Sequence, residues 1–181
     1  DECHKRGINV IIDFVMNHTS SQHEWFQTAY QYLQGLPKGA EPDASECPYV
    51  DYYNFSKEKL GGYYPVEGTD WYYEGQFWSE MPDLNLGSQA VRDEFDKIVD
   101  FWLDLGVDGF RLDAAKEYYS GSVDKNVEVL KRILENVHKS FKARTASDKA
   151  RKGVMKQLLD VDTKSKLAAC SSKKSEECEI Y

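Results

Sequence analysis

One order of signals occurs twice in this chain and restricts what it can fold into: a helix end, a glycine, an apolar strand and a carboxylate. The first copy runs from Gly7 to Asp13 and the second from Gly106 to Asp113. In each, the glycine suits the left-handed position that stops a helix. Residues Ile8 to Phe14 are nearly continuously apolar and β-branched, the pattern of a parallel strand buried on both faces. The two glycines are 99 positions apart. Setting aside a long excursion over residues 19–80 leaves roughly 40 residues, close to one βα unit of a (β/α)8 barrel. The expectation is an α/β chain with two consecutive βα units and an insertion after the first strand. The carboxyl ends of parallel strands, here Asp13 with Asn17 and His18, and Asp113, are where such folds place their chemistry.

The second strand carries the sharper signal, Gly109-Phe110-Arg111-Leu112-Asp113-Ala114-Ala115-Lys116. Strand alternation puts Gly109, Arg111 and Asp113 on one face and Phe110 and Leu112 on the other. A carboxylate buried at a strand end beside a guanidinium has a lowered pKa and stays ionised, which is what a carboxylate nucleophile needs. Taken alone, the same residues also read as a structural ion pair.

The remaining segments fit around these two. Residues 1–6 read as the last turn of a helix, with His4, Lys5 and Arg6 suited to its negative end. The excursion opens with a short helix, Glu24 to Leu33, and continues into an aromatic-rich stretch from Tyr49 to Trp78. A structureless loop of that length is unusual, so a small subdomain with its own packing is expected. Most of its aromatics are expected in that core, with two or three left as platforms that stack on flat apolar faces, such as those of sugar rings. Ser88 is a fair N-cap for a helix that sets Val91, Phe95, Ile98, Val99, Trp102 and Leu105 on one face. A third helix, capped by Ser122 or Asp124, aligns Val127, Leu130, Ile133, Leu134, Val137 and Phe141. Beyond Phe141 the pattern fades into a Lys/Ser-rich stretch, with a weak amphipathic helix over Val154 to Val161 and expected disorder from Thr163.

A formal charge of −8 over 181 residues argues against nucleic acid as a partner, because phosphate binding needs basic patches. No apolar run is long enough to span a membrane; the best, Val10 to Met16, is broken by Asp13. Cys3, Cys47, Cys170 and Cys178 have no Cys-x-x-Cys spacing, so they read as isolated thiols. Nothing in the sequence assigns a compartment.

Three stretches together resemble the α-amylase family of glycoside hydrolases: Asp13-Phe14-Val15-Met16-Asn17-His18, Met81-Pro82-Asp83-Leu84-Asn85, and Gly109 to Lys116. The resemblance covers about residues 1–141 and implies part of a (β/α)8 TIM barrel, from about strand three to helix four, with domain B inserted after strand three. The implied division is barrel segment 1–18, domain B 19–80, barrel segment 81–141 and a divergent tail 142–181. It implies Asp113 as nucleophile on the anomeric carbon and Arg111 as the group that keeps it ionised. His18 would hydrogen-bond the sugar, Asp13 would shape that subsite, and Lys116 would lie near the next ones. Asn17, Asp83 and the backbone carbonyl of Glu117 match positions that bind structural Ca²⁺ in many members, and hard oxygen ligands suit that ion. Many α-amylases have His where this chain has Glu117, and some relatives lack this calcium. The Met-Pro-Asp-Leu-Asn form is similar to a bacterial group lying between oligo-1,6-glucosidases and neopullulanases. Ala114 resembles α-1,4-acting members, so the implied partner is an α-glucan or malto-oligosaccharide.

Retaining hydrolysis needs two carboxylates about 5–5.5 Å apart. The family's acid/base Glu, at the end of strand five, has no counterpart on a strand here; Glu128 and Glu135 fall on the third helix and Glu176, Glu177 and Glu179 in the polar tail. The 181 residues alone are therefore expected to be inactive. Two alternatives stay open: the amylase-like, non-catalytic ectodomain of an amino-acid transporter heavy chain, and a degraded or frame-shifted gene product.

Overall fold

The computed structural model describes residues 1–145; the expected helix over Val154 to Val161 and the expected disordered tail lie outside them. The chain divides into two compact units, one formed by residues 1–15 with the chain from Phe95 onward, the other by Met16–Glu94.

The first unit is built on two strands, β1 (Ile11–Phe14) and β5 (Gly109–Leu112), paired in parallel with Asp13 opposite Arg111 and Phe14 opposite Leu112. This is the pairing that the repeated order of signals predicts. The residues before β1 form a 3₁₀ turn, His4–Arg6, which Gly7 ends at φ 71°. At the amino ends of the strands, Asp108 accepts hydrogen bonds from His4 Nε2 (2.6 Å) and the Val10 amide (2.7 Å), while its own amide bonds Val10 O.

Helix α2 (Gln89–Asp104) buries Phe95, Val99 and Leu103 along one stripe. Phe95 meets Phe14 edge-on at 5.7 Å, and Phe14 also packs on Phe110 at 4.9 Å. Gly106, at φ 92°, ends the helix. Helix α3 (Val123–Thr145) buries Leu130 and Val137. Its Arg132 and Asn136 both donate to the Asp96 carboxylate of α2, at 3.2 and 2.8 Å.

One expectation is corrected here. Ile8 to Phe14 is not buried on both faces: Ile8 and Ile11 are more than half exposed, and only Phe14 is fully buried. Among the described residues β1 pairs only with β5, and the packing against Phe95 engages the face that carries Phe14. Leu105, assigned by periodicity to the apolar face of α2, is likewise exposed, and Leu103 takes a buried place instead.

The second unit has its own core. Helix α1 (Glu24–Gly35) starts at His23, whose Nδ1 accepts the Trp25 amide, and buries Phe26, Ala29 and Leu33 on one side. Three short strands, β2 (Phe55–Ser56), β3 (Tyr63–Pro65) and β4 (Tyr72–Glu74), form an antiparallel sheet in the order β2-β4-β3. Phe26 makes edge contacts with Tyr53 (5.1 Å) and Tyr73 (4.9 Å). Such pairs are each worth about 0.5–1.5 kcal/mol beyond area burial, which lets a small sheet hold together. Tyr52, Tyr53, Trp71 and Tyr73 are buried, as expected of a subdomain core, whereas Phe77 and Trp78 are about half exposed. No described helix is long and apolar enough to cross a membrane.

Candidate active site

The polar face of the β1–β5 pair gathers three of the expected residues. Arg111 sits opposite Asp13 in the register, so their side chains leave the sheet on the same face. Asp113 follows the last residue of β5, and its amide bonds Phe14 O. One guanidinium nitrogen, Arg111 Nη1, therefore reaches two carboxylates, Asp13 Oδ1 at 2.8 Å and Asp113 Oδ1 at 2.6 Å. The hydrogen bond and charge of Asp13, and then those of Asp113, hold Arg111 above its ordinary pKa. It is a fixed cation there.

The expected Arg111–Asp113 contact is present, but its setting is corrected. The strand end is open rather than buried: the Arg111, Asp13 and Asp113 side chains are 45, 61 and 33 % exposed. Asp113 is the least accessible of the three, and water screens the pair. What Arg111 supplies is orientation, since one donor fixes a carboxylate oxygen on each strand and leaves the other free to face a ligand.

The turn after Asp113 is tight. Ala114 has φ 51°, the one positive φ outside glycine among the described residues. The Glu117 amide closes the turn on Ala114 O at 2.8 Å. Lys116 is exposed, with its ammonium 4.0 Å from Glu117 Oε1, and Glu117 also accepts from Ser120 Oγ. Asn126, from the first turns of α3, bonds back into this loop. It was missed in the sequence because a lone Asn near a helix start carries no spacing signal.

The second unit gathers the other expected residues. Asn17 and Asp83 are both buried, and Asn17 Nδ2 donates to Asp83 Oδ1 at 3.1 Å. The other oxygen, Oδ2, accepts the Gln76 amide. His18 bridges Asp83 through the backbone, and its ring lies 5.8 Å from Phe77. Thus Met-Pro-Asp-Leu-Asn and the Asn-His pair meet within one unit despite their separation in sequence. Asn and Asp are ligand types that suit Ca²⁺, but here both Asp83 oxygens accept hydrogen bonds from within the unit. Phe77, one of the aromatics of the Tyr49–Trp78 stretch, lies beside His18 and is about half exposed.

The family described as alpha amylase, catalytic domain, matches residues 1–168, running past Phe141, where the apolar pattern fades. The chain is 42 % identical over 134 residues to alpha-amylase 3 of Dictyoglomus thermophilum, a match that covers 70 % of this chain and 23 % of that protein. It is 36 % identical over 161 residues to a trehalose synthase of Pimelobacter sp., covering 78 % of this chain and 26 % of that one. Among solved structures, Eubacterium rectale Amy13B superposes with a TM-score of 0.74 at 56 % identity, over 81 % of this chain and 27 % of that chain. The α-amylase from H. orenii gives a TM-score of 0.58 at 33 % identity, over 76 % of this chain and 28 % of that one. The chain thus spans about a quarter of the length of these relatives. With three signature stretches placed and the family match covering nearly all its residues, the chain belongs to the α-amylase family of glycoside hydrolases.

Proposed function

We propose that this chain carries the nucleophile side of the active site of a retaining, α-glucan-acting glycosidase, with α-1,4 bonds favoured. In this reading β1 and β5 are strands three and four of a (β/α)8 barrel, α3 is helix four, and residues 19–80 form the inserted domain B. The observation that carries it is the parallel pairing that brings Asp13 and Asp113 to one Arg111 at the carboxyl ends of both strands. Asp113 attacks the anomeric carbon; Arg111 orients it and stabilises its charge. Asp13 and His18 bind the sugar, and Lys116 serves the neighbouring subsites. Ca²⁺, where bound, would be held by the residues that the resemblance implies, Asn17, Asp83 and the Glu117 carbonyl, and would supply stability rather than chemistry.

Neither described parallel strand carries a Glu, so the acid/base partner that retention requires must come from elsewhere. The 181-residue chain alone is expected to be inactive. The test uses the longest gene product that contains this sequence. It is incubated with a fluorinated malto-oligosaccharide donor that traps the glycosyl-enzyme, and the labelled peptide is identified by mass spectrometry. Label on Asp113, abolished in Asp113→Asn, is expected. Label on another carboxylate, or inversion of configuration at the anomeric carbon, would sink the assignment.

A further inference from the structure

The turn that follows Asp113 has no secondary structure of its own, yet one side chain ties it down three times. Asn126 is 7 % exposed. Its Nδ2 donates to Lys116 O at 2.6 Å and to Tyr119 O at 3.3 Å, and its Oδ1 accepts the Tyr119 amide at 2.7 Å. Asn126 lies one turn into α3, where its amide bonds Ser122 O. Asparagine is an indifferent helix former there. It is, however, the shortest side chain with two donors and an acceptor on one planar group. Asp would keep the acceptor and place a charge against two carbonyl oxygens; Ala would lose all three bonds.

The tied segment is continuous with the nucleophile. Lys116 is three residues from Asp113; left-handed Ala114 lies between them, and the Ala114–Glu117 bond closes the turn around Lys116. With Lys116 O and both Tyr119 backbone groups held by α3, and Asp113 N held by Phe14 O, the turn is fixed at each end. Tyr118, between the two anchored residues, is buried. We propose that Asn126 is a positioning residue for the nucleophile: it fixes the 113–119 turn to α3 and so sets the orientation in which Asp113 meets Arg111. This rests on Asp113 being the nucleophile, but the turn's geometry can be read without turnover, so the two readings fail separately.

The test is NMR on the full chain with Asn126→Ala, Asn126→Asp and a control, Val137→Ala, which removes a buried contact further along α3. The expected result for Asn126→Ala is at least about tenfold faster exchange of the Tyr119 amide, the loss of one ordinary hydrogen bond. The Asp113–Glu117 amide signals and the Arg111 guanidinium signal should move with it. Asn126→Asp should keep Tyr119 protected but still displace the Asp113–Glu117 signals. Val137→Ala should lower stability and leave them in place. If Asn126→Ala speeds Tyr119 exchange while the Arg111 and Asp113–Glu117 signals stay put, Asn126 only braces the helix start and the proposal is wrong. Should the Asn126 variants not fold, the unsubstituted chain decides: Tyr119 and Glu117 amides exchanging at one common rate support a single tied turn, and unrelated rates overturn it.

Discussion

Replacing Tyr118 by Phe should make the protein more stable. The Tyr118 side chain is 6 % exposed, and its hydroxyl has no hydrogen-bond partner among the described residues. A buried polar group without a partner carries its desolvation penalty of about 1–3 kcal/mol uncompensated. Phe keeps the ring and its contacts and removes the oxygen, so the gain is about 1 kcal/mol after a small packing loss. For a chain of this size that raises the melting temperature by about 2–4 °C. The gain should also depend on pH in a defined direction. Burial, with the charge of Asp113 adding to it, pushes the Tyr118 phenol well above its ordinary value of 10.0. A group whose pKa is raised on folding stabilises the folded state fully below its unfolded pKa, and loses that contribution as pH rises towards its folded one. Above pH 10, therefore, the parent loses stability through Tyr118, which Phe cannot do, and the advantage of Tyr118→Phe widens. Urea unfolding at neutral pH and again above pH 10 measures both effects. A variant less stable by about 1 kcal/mol, at an unchanged denaturant slope, would show that the hydroxyl has a partner, and the reasoning would fail.

The second unit should show a related alkaline response. Burial first, and then Glu74 and Asp83, push Tyr63 up to about 12; burial also pushes Tyr73 up to about 12. Stability should hold below pH 10 and fall between 10 and 12, with those phenols ionising late in an absorbance titration; ionisation near pH 10 without unfolding would contradict it. Ala114→Val should cost about 2 kcal/mol or more in a thermal melt because a β-branched residue resists φ 51°, while Ala114→Gly should be neutral or slightly stabilising. If Asn17 and Asp83 hold Ca²⁺, the melting temperature should rise with added calcium, fall with a chelator, and lose that response in Asp83→Asn. An identical melt with calcium and with chelator removes the metal from the proposal.

Much of this site was legible in the sequence because its signals are local. Gly7 and Gly106 announce two left-handed helix stops, and the alternation Gly109-Phe110-Arg111-Leu112 sorts the faces of β5 without any partner. That Asp13 shares Arg111 with Asp113 depends on the register of strands far apart in the chain, which alternation does not fix. Exposure at Ile8 and Ile11 was misread for a similar reason: β-branched runs reveal strand propensity, whereas burial depends on what lies across each face. Leu105 was assigned to the buried face and Leu103 was not, because helical periodicity drifts over sixteen residues and only the neighbours at the far end decide. Asn126 and Tyr118 left no trace, since each matters through one side chain meeting a backbone or failing to.

The β1–β5 pairing also has a kinetic side. These strands adjoin in space, but residues 15–108 lie between them, and all of the second unit is made within that interval. Contacts so distant in sequence form slowly, because loop closure must precede any gain from pairing. As the chain leaves the ribosome, β1 emerges before β5, and Met16–Glu94, with its local aromatic core, has the means to collapse in between. Until β5 arrives, the edge of β1 that β5 covers stays open, and an open strand edge is of the kind that seeds aggregation. Early collapse of the inserted unit therefore shortens the open loop that the β1–β5 pairing has to close.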